Sequence, residues 1–120
     1  MRDFLSISNA LSDGARVRAL MAVKGGELCL CQLVHLLRLA PSTVSKHLSV
    51  LVQAGLLECR KEGRWRFYRL PGQQAPHVVK QALRWVASTL DKESVIIDDE
   101  KKIRRTRRRD PKEFTACYRG

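Results

Sequence analysis

Ser42-Thr43-Val44-Ser45-Lys46-His47-Leu48-Ser49-Val50-Leu51-Val52-Gln53-Ala54-Gly55-Leu56-Leu57 is the stretch whose reading decides the fold. With Val44 as origin, Leu48, Leu51 and Val52 fall within one apolar sector of a helix. Ser42, Lys46, Ser49 and Gln53 fall opposite, with Thr43 and Ser45 at the edges. Pro41 suits the first turn of such a helix, Ser42 or Thr43 can serve its unpaired N–H groups, and Gly55 stops it. The polar face carries no acid, which fits a helix that enters a phosphate-lined major groove better than one that merely faces solvent. Ser42, Thr43, Ser45 and Lys46 are therefore candidate DNA contacts. His47 lies at the border of the apolar sector, where it either packs or joins them.

Downstream the period changes from helical to alternating. Leu56 to Lys61, a Glu62-Gly63 turn and Arg64 to Leu70 predict a β-hairpin with five Lys or Arg residues between positions 60 and 69. Arg60, Lys61, Arg64 and Arg66 are its candidate contacts to phosphates or a minor groove. Pro71-Gly72 closes the hairpin, and Pro76 to Leu90 predicts a helix with an apolar surface wide enough to meet a second subunit.

Upstream, residues 3–11 predict a short amphipathic helix ended at Ser12-Asp13-Gly14, and Ala15 to Val23 a second one stopped by Gly25-Gly26. A third helix is expected from Glu27 to Leu37, beginning Glu27-Leu28-Cys29-Leu30-Cys31-Gln32-Leu33. On one helix, two residues separated by a single position diverge by about 200°, so one core should not take both thiols and one ion should not hold both without bending the helix. A strand position makes Cys59 a core-packing candidate.

With 23 Lys and Arg against 12 Asp and Glu, the chain carries a formal charge of +11, which points to a polyanionic partner, nucleic acid before an anionic membrane surface. No apolar run reaches the roughly 20 residues of a membrane span, and Met1 to Phe4 does not open a signal segment, so a cytoplasmic location is expected. Four unevenly spaced cysteines do not form a secreted disulfide framework and are read as packing residues, metal ligands or redox thiols. No Cys-x5-Arg loop and no Gly-rich cofactor motif occurs, so a thiol enzyme is disfavoured and the chain is expected not to be an enzyme. Seven of the nine residues from Lys101 to Arg109 are cationic, and this run is expected to be disordered or loosely attached.

Helix, helix, helix-turn-helix, basic hairpin, helix is the order of a mainly α winged helix-turn-helix, and several stretches resemble the ArsR/SmtB family of metal-responsive repressors. Residues 9–24 look like its opening helix pair, Ser42 to Leu57 like its Ser-x-x-Ser-x-His-Leu reader, and Glu62-Gly63-Arg64-Trp65 with Tyr68-Arg69-Leu70 like its wing. Residues 27–33 resemble the Glu-Leu-Cys-Val-Cys-Asp-Leu signature of arsenite and antimonite sensors, which implies Cys29 and Cys31 as thiolate ligands. Some members add a third cysteine where this chain has Val34. Cys117 from the tail of either subunit, Cys59, or a small thiol or water from solution are then the candidates for a third ligand.

The resemblance implies a DNA-binding and dimerisation domain over residues 1–92, a basic tail over 93–120, and a homodimer joined through its first and last helices. It implies repression at an imperfect inverted repeat of double-stranded operator DNA, release by As(III) or Sb(III), no organic cofactor and no membrane partner. A thiol redox-responsive repressor of the same fold is the alternative.

Overall fold

Asp13 sets the start of the first long helix. Its carboxylate accepts the backbone N–H groups of Ala15 at 2.8 Å and Arg16 at 3.2 Å, satisfying donors that the helix itself leaves open. The computed structural model describes residues 1–109. In chain order the elements are α1 (Arg2–Ala10), α2 (Gly14–Val23), β1 (Leu28–Cys29), α3 (Leu30–Leu37), α4 (Pro41–Gln53), β2 (Glu58–Glu62), β3 (Trp65–Arg69), α5 (His77–Leu90) and α6 (Ser94–Arg107).

The helix-turn-helix is α3 and α4, and Arg38, at φ 55°, makes the left-handed turn that ends α3. Val44, Leu48 and Leu51, all fully buried, pack with Leu33, Ala19, Leu20 and Leu56 into one core, as the apolar sector of the reader requires. Arg16 fastens α1 to this layer: its guanidinium donates to the carbonyls of Ala10 and Asn9, both at 2.9 Å, which α1 cannot satisfy within itself.

Three expectations are corrected. The helix expected from Glu27 begins at Leu30. Gly26, at φ 142°, turns the chain so that Leu28 and Cys29 pair antiparallel with Tyr68 and Phe67, and the hairpin becomes a three-stranded sheet of order β1-β3-β2. Cys59, expected to pack in the core, is exposed, because every residue of β2 faces solvent.

The third correction concerns the basic segment. Far from hanging loose, Ser94–Arg107 is a helix docked on α2 and α3. Ile96, Asp99, Ile103 and Thr106 are buried along one stripe of it. Asp99 takes a bidentate pair of bonds from Arg18, Nε to Oδ2 at 2.8 Å and Nη2 to Oδ1 at 2.9 Å. Arg107 reaches past its own helix end to the carbonyls of Gly26 at 2.9 Å, Glu27 at 3.1 Å and Ala22 at 3.3 Å. Residues 110–120, Cys117 among them, lie outside the described residues.

The side chain of Asp99 is only 4% exposed, so its charge depends on Arg18. Arg18→Met is expected to lower unfolding free energy by about 2–4 kcal/mol, because it strands a buried carboxylate. Adding Asp99→Leu should recover part of that loss, and urea denaturation of both variants measures it.

Candidate functional site

Cys29 is not on a helix but at the N-cap of one. Its backbone is extended, φ −85° and ψ 161°, and the chain turns helical at Leu30. Gln32 completes a reciprocal cap: the Cys29 N–H donates to Gln32 Oε1 at 2.9 Å, while the Cys29 sulfur accepts from the Gln32 backbone N–H. The change from strand to helix between the two cysteines removes the expected divergence. Both are buried, at 0% and 2% exposure, in one cluster covered by Trp65 and Phe67 of β3. A sulfur at a helix N-terminus lies in a field that favours negative charge, the form in which thiols bind soft ions.

The cover over the two sulfurs belongs to the wing. Phe67 stands directly across from Cys29 on one side and from Arg60 on the other, so all three share a sheet face. The Arg60 guanidinium lies 4.4 Å from the Phe67 ring centre, and Trp65 stacks on Phe67 with ring centres 6.4 Å apart. Arg60 also bonds Glu27 through Nη2 at 2.8 Å and Nε at 3.0 Å, and Glu62 through Nη1 at 2.7 Å. Those bonds hold the Glu27 carboxyl below the usual carboxylate range. The pair's contribution is therefore complete at neutral pH and is lost as acid titrates Glu27 through that depressed value.

Behind Glu27, Arg107 occupies the loop. Its guanidinium lies 3.0 Å from where a Cβ on residue 26 would sit, so that loop is fixed from the tail side as well. Burial pushes the Arg107 guanidinium downward, a cost that its three carbonyl partners offset.

Ser42, Thr43 and Lys46 of the reader are exposed, and Ser45 and His47 are half-buried. The His47 Nδ1 lies 3.3 Å from Arg16 Nη1, so the ring is held against α2. Lys61, Arg64 and Arg66 are exposed along the wing. Arg60, expected among them, is instead turned to Glu27, Glu62 and Phe67.

The exposed Cys59 pairs across the sheet with Tyr68, away from the thiol cluster. The Tyr68 hydroxyl is pushed up to about 12 by burial first and by Cys59 second. Among the described residues no three His, Cys, Asp or Glu side chains converge as a metal cage. No described helix is long and apolar enough to cross a membrane.

Sequence reasoning missed Glu27, Gln32, Trp65, Phe67 and Arg107. The two aromatic residues carried a signal: positions 65 and 67 alternate with Arg64 and Arg66, which places both on one strand face.

Residues 13–58 match the family described as "Bacterial regulatory protein, arsR family". The chain is 40% identical over 74 residues to an arsenic resistance transcriptional regulator of Pseudomonas putida, covering 58% of each protein. It is 33% identical over 88 residues to the arsenical resistance operon repressor of Escherichia coli, covering 72% of this chain and 68% of that one. Its fold superposes, with a TM-score of 0.63 and 25% identity, on the homodimeric winged helix-turn-helix DNA-binding domain of a possible ArsR-family regulator from Mycobacterium bovis, covering 78% of this chain and 82% of that one. From its matched reader segment, its winged helix-turn-helix fold and these relatives, the chain belongs to the arsR family of bacterial regulatory proteins, which are DNA-binding transcriptional regulators and not enzymes.

Proposed function

We propose that this chain is a cytoplasmic, homodimeric repressor that leaves an imperfect inverted repeat when As(III) or Sb(III) is held by Cys29 and Cys31. The observation that carries the reading is the burial of both sulfurs in one cluster beneath wing aromatics. Cys31 is held in a disulfide in this structure; once it is reduced, two thiolates suit a soft trivalent ion, and the arsenic-related names of the relatives agree with that chemistry. A third ligand comes from Cys117 or from solution, since Cys59 stands apart from the pair.

Ser42, Thr43, Ser45 and Lys46 read bases and phosphates in the major groove, with His47 steadying the helix against Arg16, while Lys61, Arg64 and Arg66 hold backbone beside it. Arg60 acts from behind, tying the wing to Glu27. Release requires only that the loaded site prefer a protein conformation that binds DNA poorly. The pairing of Cys29 with Phe67 gives a short path for that preference: a shift of the Cys29 backbone moves β3, and β3 carries the wing. This path replaces a bend in α3, because one thiol is not on that helix.

Dimerisation uses α1 and α5. Phe4, Leu5 and Trp85 are 65%, 55% and 64% exposed, and Phe4 and Trp85 line a mostly apolar groove of about 420 Å³ between the two helices. An isolated chain has no reason to keep so much apolar surface in water.

With the wild-type chain, arsenite is expected to weaken operator binding by about 10- to 100-fold, the range of ordinary coupling energies. Cys29→Ser/Cys31→Ser should bind operator comparably and show no release, read by fluorescence anisotropy. Release that survives in the double variant sinks the sensor assignment. Trp85→Arg is expected to shift the dimer to monomer in sedimentation velocity and to weaken operator binding about tenfold or more.

A further inference from the structure

The cationic residues of α6 are sorted by face, and the sorting points to a second contact with DNA. One face is internal: Ile96, Asp99, Ile103 and Arg107 dock the helix on α2 and on the loop before β1. The neighbouring face carries Lys102 and Arg105, three positions apart and so on one side of the helix, beside the buried Thr106. It forms one wall of a groove of about 520 Å³ whose other wall is the end of α3, with Arg38 and Leu39. Among the described residues no acid lines this groove.

The acids of α6 are confined to its first half, where Asp99 is committed to Arg18 and Glu100 to Arg104. Lys102, Arg105 and Arg38 are all exposed and, with Arg109, make four cations on one concave surface that no carboxylate among the described residues lines. Like charges held together in that way repel until an anion lies between them.

The groove's position identifies the anion. Arg38 ends α3 in a left-handed turn and stands three residues before Pro41, the first residue of the reader helix. Three residues of chain span at most about 11 Å. The major groove that such a helix enters is about 12 Å wide, so a cation at that distance from the helix start reaches the phosphate wall of the same groove. Helix-turn-helix proteins place the start of the second helix at the bases while the first crosses the backbone, which brings the α3–α4 turn to the DNA.

We infer that the groove between the end of α3 and α6, through Arg38, Lys102 and Arg105, is a phosphate-binding surface that grips the DNA backbone bordering the reader helix's groove. The inference rests on the DNA-binding reading above and extends it. The tail segment becomes a folded part of the DNA-binding surface, adding affinity that does not depend on base sequence.

The test uses the full-length chain and its Lys102→Gln/Arg105→Gln variant, both positions being exposed and outside the docking contacts of α6. Binding is measured as a function of salt on a duplex selected from random sequences and on an unselected duplex. It is repeated with single methylphosphonate substitutions along the selected site. The variant is expected to bind about tenfold more weakly at 0.15 M salt, with a log–log salt slope shallower by about two, on both duplexes. It should also lose the wild type's sensitivity to a contiguous set of phosphates bordering the reader groove, and keep the wild-type ratio of affinities with and without arsenite. An unchanged slope overturns the inference, as does a shallower slope that leaves the methylphosphonate pattern intact, since that reports only a general field. If the wild type prefers neither duplex while the slope and phosphate effects persist, the phosphate surface stands and the repressor reading falls.

Discussion

Everything distinctive in this molecule depends on one backbone event, the change from strand to helix between Cys29 and Leu30. A continuous helix would send the two sulfurs to opposite sides. Two residues of β-pairing before the helix begins bring both into one buried cluster and place the first of them against the wing. The pairing exists because Gly26 adopts a backbone conformation that other residues rarely reach, and because β3 offers an edge that β2 leaves open. The helix cap made by Gln32 then fixes where the switch occurs. Thiol chemistry and wing position are thus linked by main-chain hydrogen bonds, with no intervening side-chain relay.

The electrostatic design is equally specific. In a chain with 23 cations and only 12 acids, two of the acids stand where elements distant in sequence meet. Asp99 joins α6 to α2, and Glu27 joins the loop before β1 to the wing through Arg60. Among the cations left over are those of the reader, the hairpin and the outer face of α6. Attraction inside and uncompensated charge outside follow from the same few placements, and the second raises affinity for any polyanion.

The reader was fully legible because a 13-residue helix repeats its apolar sector often enough for the period to be unmistakable, and Pro41 and Gly55 mark its ends. The thiol geometry was not, since a two-residue strand has no periodicity and its pairing partner lies about forty positions away. Cys59 misled for a related reason: alternation in a strand implies one buried face, and β2, the outer strand of the sheet, has solvent on both. In α6 the count of charges obscured the pattern. Ile96, Asp99 and Ile103 do follow helical spacing, but a buried aspartate reads as a surface residue until its partner, 81 positions earlier, is known. The reading of Arg60 as a DNA contact met the same difficulty, because Glu27 becomes its neighbour only when β1 joins the sheet.

Arg107 closes loops of 80 to 85 residues to reach the carbonyls of Ala22, Gly26 and Glu27, a separation close to the full span of the winged domain. During synthesis, every helix and strand from α1 to α5 leaves the ribosome before the side chain that seals the loop ahead of Cys29 has been made. Contacts of such long range carry the largest closure entropy and are the slowest class to form. The reader and wing are therefore available earlier in the life of each molecule than the finished setting of the thiols, and fraying of the α6 end reopens that setting while leaving the rest of the fold in place.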